Sequence, residues 1–191
     1  MANNLFLYFQ YKLLKWFKPE IIGNPKRFSK NIGKKVGISN TTHISNYENN
    51  LEIGNNVFIG HFNYIDAYNE RLVIEDNVQI TNYTQILTHS THNSIRFPNV
   101  KGMELKSKKI LNNIACVKIG EGSYIGPHSV IMPGTVIGKK SIVSAYSYVK
   151  GNFPDYSVIR GIPGRVIGDT REIDKALLKE IKNLKNTSED L

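Results

Sequence analysis

An all-β solenoid is the fold that this sequence predicts, and two observations predict it. Aliphatic residues recur every sixth position over most of the chain, and the residues around them repeat with them. Neither a helix nor an alternating strand has that period. A fixed six-residue repeat marks a parallel β-helix of hexapeptide repeats, in which each coil buries the apolar edge of the next.

The repeat runs in four sets: Ile32, Ile38, Ile44; then Ile53, Ile59, Ile65; then Ile74, Ile80, Ile86; and last Ile119, Ile125, Ile131, Ile137, Val143, Val149. Glycine often follows the aliphatic (Gly33, Gly54, Gly60, Gly120, Gly126, Gly138), as a sharply turning corner would need. The fifth position is small or β-branched, as in Val57, Val78, Thr84, Ser123 and Ser129. Three hexamers make one triangular coil. Nine residues separate Ile44 from Ile53 and Ile65 from Ile74, and 33 separate Ile86 from Ile119. All three excesses fall at the same phase, so the chain bulges at one edge on three successive coils. Loops leaving a rigid solenoid along one edge are where binding and catalysis concentrate.

Three regions follow. Residues 1–31 form an N-terminal amphipathic helix and lead-in. Residues 32–154 form the β-helix, with a loop insertion at about 87–118. Residues 155–191 form a C-terminal extension in which "REIDKALLKEIKNLKN" reads as a helix with Ile173, Leu177, Ile181 and Leu184 on one face, packing on the solenoid end or on a neighbouring subunit. The apolar stretch Leu5 to Phe17, interrupted by Gln10, Lys12 and Lys15, is too short and too charged to span a bilayer. It has no basic leader and no cleavage site of a signal peptide. Residues 5–18 either cap one end of the domain or lie in a membrane interface, where lysines and aromatics are favoured.

The net charge is +9 and the sequence pI about 9.5, which favours anionic partners. No motif of nucleic-acid binding is present. A single cysteine, Cys116, excludes a disulfide framework and fits a reducing, cytoplasmic setting. It follows the apolar "NIA" and reads as a buried structural residue.

The stretch "IGEGSYIGPHSVIMPGTVIGKKSIVSAYSYVKGNFPDYSVIRGIPGRVI" resembles the C-terminal half of hexapeptide-repeat acetyltransferases, such as the galactoside and maltose enzymes and the O-acetyltransferases of capsule and O-antigen synthesis. The resemblance runs from about residue 50 to 168. It implies a left-handed β-helix, a homotrimer with sites between subunits, and acetyl transfer from acetyl-CoA without a metal. The hand comes from the resemblance alone.

Acetyl transfer to a hydroxyl needs a base, donors for the oxyanion and a site that holds both substrates. Imidazole is the natural base. His89 and His92, in "ILTHSTHN", lie where the family places its catalytic histidine, and the alignment leaves both open. His43, His61 and His128 read as structural. For acetyl-CoA the resemblance points to Gly126, Pro127 and Ala145 along the pantetheine arm, with Lys150 and Arg165 at the phosphates; Gly151 replaces a lysine frequent in the family, for which Arg160, Arg171 or lysines of the loop insert could substitute. Asp66, Tyr68 and Asn69, on the bulge below the histidines, are candidates to touch the acceptor. The loop insert carries Arg96, Lys101, Lys106, Lys108 and Lys109, either solvated or contacting CoA or an acidic glycan.

The expected activity is O-acetylation of a sugar hydroxyl in bacterial surface polysaccharide synthesis. The alternatives are N-acetylation of an amino sugar, acetylation of an antibiotic, or a hexapeptide metal-dependent hydrolase or scaffold. The hydrolase class needs three metal-binding histidines across coils, and a third well-placed one is not evident.

Overall fold

A computed structural model of the chain describes residues 19–23, 29–46, 49–97 and 109–188. The N-terminal stretch 5–18 and Lys101, Lys106 and Lys108 lie outside these residues.

The six-residue period becomes a triangular prism of three sheets. Sheet I holds eight strands: β1 (Ile21–Gly23), β2 (Gly37–Ser39), β5 (Phe58–Ile59), β8 (Gln79–Ile80), β11 (Tyr124–Ile125), β14 (Ile142–Val143), β17 (Ser157–Gly161) and β18 (Gly164–Asp169). Sheet II stacks β4 (Leu51–Ile53), β7 (Leu72–Ile74), β10 (Val117–Ile119), β13 (Val136–Ile137) and β16 (Asn152–Phe153). Sheet III stacks β3 (His43–Asn46), β6 (Tyr64–Ala67), β9 (Gln85–Ile86), β12 (Val130–Ile131) and β15 (Tyr148–Val149). Each coil visits sheet II, then I, then III. Every strand pair is parallel except β1 with β2 and β17 with β18. Parallel pairing continues past residue 154, because β17 still stacks on β14.

The aliphatic positions stack in register, as Ile38–Ile59–Ile80–Ile125–Val143–Ile159 does along sheet I. From Ile59 to Ile159 these side chains have no exposed surface. Burying each such side chain is worth about 1.5–3 kcal/mol. The small polar residues at fifth positions close the corners. The Ser129 hydroxyl donates to the Ser144 carbonyl (3.0 Å), and that of Ser123 to the Gly138 carbonyl (2.9 Å).

The glycines after the aliphatics have a different cause from the one expected. None of them has positive φ. A Cβ on Gly120 would meet the Gly138 carbonyl carbon and the Lys139 nitrogen, each at 2.6 Å. Glycine stands there because the next coil's backbone presses against it. The sharp turn falls two residues later, largely on residues with side chains. On the edge between sheets I and III these are Phe62, Tyr83, His128 and Tyr146, at φ 56 to 59°. Left-handed backbone costs such residues about 1–2 kcal/mol each. Their rings stack coil on coil, with centroids 5.2, 4.9 and 4.7 Å apart. Such ring pairs return about 0.5–1.5 kcal/mol each.

The three bulges share one edge. The connections β3–β4, β6–β7 and β9–β10 all run from sheet III to sheet II. At the far end α2 (Thr170–Ser188) leaves the β17–β18 hairpin, tied by Thr170 N–H to the Tyr156 carbonyl (2.8 Å) and Thr170 Oγ1 to the Lys140 carbonyl (2.8 Å). Its stripe Ile173, Leu177 and Ile181 is exposed, so the solenoid of the same chain does not bury it.

Candidate functional site at the bulged edge

The loop insertion is drawn in at its neck. Ala115 N–H donates to the Thr88 carbonyl (3.1 Å) and Ser90 N–H to the Asn112 carbonyl (2.9 Å). The two ends of the loop therefore zip together beside His89. Its lead-out, α1 (His92–Arg96), is a single short helix.

Below this neck lies Asp66, one coil down in β6. The strand continues to Ala67 before the bulge, and Asp66 is 0% exposed. An isolated buried carboxylate would be costly, so its oxygens need donors. Oδ1 accepts from Tyr68 N–H (3.1 Å). Oδ2 accepts from Thr88 N–H (3.1 Å), the Thr88 hydroxyl (2.9 Å) and His89 Nδ1 (2.7 Å). With Nδ1–H donated to the carboxylate, the lone pair of His89 sits on Nε2. The His89 side chain is 31% exposed, so one end of the ring is anchored in the protein and the other meets solvent. This is the geometry of an oriented base.

The structure separates the two candidate histidines. His92 starts α1, is exposed, and pairs through Nδ1 with the Ser90 hydroxyl (2.8 Å). Among the described residues no carboxylate is paired with it. Asp66 is not placed to meet an acceptor, as its residue type and position had suggested. The loop neck and its own coil cover it, and it stands behind His89. Tyr68 and Asn69 are exposed on the same bulge. Thr88 was not singled out in the sequence, yet it is fully buried and supplies two of the four donors to Asp66.

The acetyl-CoA candidates lie along the edge between sheets I and III and at the end of the prism. Gly126 is buried and its N–H is already donated to the Val143 carbonyl (2.8 Å). Pro127 is half-buried and Ala145 exposed. Lys150 and Arg165 are exposed, and among the described residues neither has a carboxylate partner. Arg160, one coil beyond Ser144, lies directly opposite Arg165 across β17–β18. Like charges placed so are unfavourable unless an anion joins them.

Cys116 is exposed rather than buried. It stands at the mouth of β10 beside Glu70. Partial desolvation, with the Glu70 charge beside it, pushes its thiol up from the ordinary range. Glu70 is itself held down by Lys109, whose Nζ lies 2.6 Å from its carboxylate. The remaining histidines serve the scaffold: His61 pairs with the Ser39 hydroxyl (2.6 Å), His43 stacks on Tyr64, and His128 belongs to the ring column. Among the described residues no group of three or more His, Cys, Asp or Glu is placed to hold a metal ion. No helix among them is long and apolar enough to cross a membrane.

A solenoid of hexapeptide coils with an oriented histidine on its bulged edge is the class that fold and site define. Comparison with known proteins gives the hexapeptide class of the fold. Residues 116–151 match the bacterial transferase hexapeptide (six repeats) model. The chain is 41% identical over 59 residues to galactoside O-acetyltransferase of Escherichia coli K12, spanning 31% of this chain and 29% of that one. It is 38% identical over 53 residues to WbbJ of the same strain, provisionally assigned O-acetyl transfer in lipopolysaccharide biosynthesis, spanning 28% and 27%. The aligned stretches thus cover under a third of these relatives' lengths. Among solved structures, galactoside acetyltransferase in complex with coenzyme A aligns with TM-score 0.60 and 25% identity over 78% of this chain and 70% of that one. A hexapeptide-repeat acetyltransferase of Vibrio cholerae with acetyl-CoA aligns with TM-score 0.63 and 24% identity, over 75% and 73%. The chain carries the hexapeptide transferase repeat and is similar, in sequence and fold, to hexapeptide-repeat acetyltransferases.

Proposed function

We propose that the protein is an acetyl-CoA-dependent O-acetyltransferase acting on a sugar hydroxyl in bacterial surface polysaccharide synthesis. The observation that carries the chemistry is the His89–Asp66 pair at 2.7 Å on the edge of a hexapeptide solenoid. The sugar acceptor is supported by the likeness to galactoside O-acetyltransferase. The reading includes a left-handed coil and a homotrimer with acetyl-CoA between subunits, which rest on likeness to the family, and a cytoplasmic setting, which the single cysteine supports.

In this reading His89 Nε2 takes the proton of the acceptor hydroxyl. The hydroxyl oxygen attacks the thioester carbonyl, and a backbone N–H holds the oxyanion. Collapse expels the CoA thiolate, and His89 returns the proton to it. The products are an acetyl ester and CoA thiol. Asp66 keeps the ring in the donating-Nδ1 tautomer and stabilises the imidazolium formed midway. Lys150, Arg160 and Arg165 hold the phosphates. Tyr68 and Asn69 border the acceptor.

The test is thiol release from acetyl-CoA with a panel of sugars, amino sugars among them, for wild type, His89→Ala and His92→Ala. His89→Ala is expected to lower kcat by about 10²–10⁴-fold. His92→Ala is expected to leave kcat within a few fold. Full activity in His89→Ala and in the double variant sinks the mechanism. Mass spectrometry of the surface polysaccharide with and without the gene tests the pathway: an unchanged glycan removes the polysaccharide assignment and leaves acetyl transfer standing.

A further inference from the structure

The helix α2 is mounted in an unusual way. At about 100° per residue, Arg171, Lys175, Lys179 and Lys182 fall on one face, about half a turn from the stripe Ile173, Leu177 and Ile181. Amphipathic helices ordinarily turn the apolar stripe to the body of the protein. Here the basic face turns inward. Those four cations, with Leu178 between them, line a groove of about 660 Å³ against the edge between sheets II and I, and Lys140 of that edge joins them. Tyr156 forms the floor, with the Arg171 guanidinium 4.7 Å and Lys140 Nζ 5.8 Å from its ring centre.

The charge is poorly balanced. Arg171 is paired with Asp169 (Nε to Oδ1, 2.9 Å), and Asp174 also lines the groove. Among the described residues Lys140, Lys175, Lys179 and Lys182 have no carboxylate within ion-pairing distance. Five cations converge on a cleft with one acid lining it and a second at its rim. The groove lies on a different edge from both the histidines and the row of Gly126 and Ala145.

We propose that this groove binds a single chain of an acidic polysaccharide, the carboxylated stretch of a polymeric acceptor. The inference rests on the sugar-acceptor reading above. The cations on α2 span about 16 Å of helix, a linear row suited to charges spaced along a polymer. A bilayer taking up the exposed apolar stripe would leave the groove unfilled, because the groove lies on the opposite side of the helix and is closed there by Lys140 and Tyr156 of the solenoid edge. A nucleic-acid strand fits poorly, since its bases need free aromatic faces to stack on and the one ring here is capped by cations.

The experiment is fluorescence anisotropy on the full chain with labelled octagalacturonate, in low salt. Neutral maltooctaose and an eight-residue oligo-dT are the comparison ligands. The variant is Lys175→Ala/Lys179→Ala/Lys182→Ala, which keeps good helix formers on the helix. Octagalacturonate is expected to bind wild type, to bind the variant at least 10-fold more weakly, and to be released by added salt. Maltooctaose is expected not to bind. Equal binding by the variant, no binding by wild type, or tighter binding of oligo-dT overturns the proposal. The assay needs no turnover, so loss of acetyl transfer as the function would leave its outcome readable. Conversely, the variant is expected to keep wild-type kcat on a monosaccharide acceptor.

Discussion

Replacing Asp66 by asparagine isolates what the buried carboxylate does for His89. The side chain keeps its size but offers one oxygen and one amide nitrogen to four donors. The oxygen can stay opposite Thr88 N–H, the Thr88 hydroxyl and His89 Nδ1, which are 3.1, 2.9 and 2.7 Å away in the wild type. The NH₂ then faces Tyr68 N–H, which donates to Oδ1 at 3.1 Å. The His89 tautomer survives while the charge is lost. A hydrogen bond to a charged group is worth about 1.5–3 kcal/mol against about 0.5–1.5 for a neutral one. The difference, about 1–1.5 kcal/mol, predicts a fall in kcat of roughly 5- to 13-fold. Asp66→Ala also frees the ring to rotate, so its kcat should approach that of His89→Ala. The assay is thiol release at saturating acetyl-CoA, with KM for acetyl-CoA expected to hold and a melting curve run on each variant. Wild-type kcat in a folded Asp66→Ala protein, alongside a dead His89→Ala, would refute the positioning role.

Two further outcomes are expected. Gly120→Ala sets a Cβ 2.6 Å from backbone atoms of the next coil and should cost about 1–3 kcal/mol, roughly 2–12 °C in Tm. Gly168→Ala, whose nearest contact is 3.8 Å, should melt as wild type does, and calorimetry of the pair decides. At the start of α2 the side-chain hydrogen bonds of Arg171 hold the Asp169 carboxyl down to about 2. A carboxyl depressed by folding contributes stability above its unfolded pKa of about 3.9 and loses it as pH falls towards 2. The amide resonance of Arg171, whose N–H donates to Asp169 Oδ1 at 2.8 Å, should therefore hold steady from pH 7 to about 3; a midpoint near 4 would contradict the pairing.

The period of six makes the interior legible because packing along a solenoid is one-dimensional: whatever follows Ile59 in space is read by adding one coil. The same arithmetic put the three bulges on one edge. It reaches its limit where chain leaves the ladder. Asp66 and His89 are 23 residues apart, close to one coil of 21, so their proximity could be read. That Asp66 is buried could not, since an alternating strand points it outward, and it is covered by its own bulge at Tyr68 and by the neck of the loop at Thr88. Cys116 fails for the mirror reason: apolar neighbours suggested burial, but it sits just before β10, where the ladder has not yet resumed. The glycines were found for the wrong cause, since sequence shows a missing side chain and not which backbone fills the space. In α2 the apolar stripe was visible, but the direction it faces is set by how Thr170 anchors the helix.

The antiparallel strands at the two extremities of sheet I have a consequence for how such a molecule changes size. A parallel ladder is open at top and bottom, and each open rung is a template for another chain. At the top β1 runs against β2, and at the bottom β18 runs against β17, so sheet I has no rung left that continues the stacking direction. Sheet I is thereby closed to further parallel stacking at both ends, whereas sheets II and III end on parallel strands. Growth in girth remains free, since an insertion on the bulged edge breaks no rung. Length can thus be added on the one flank where His89 and Asp66 stand without disturbing the ladder.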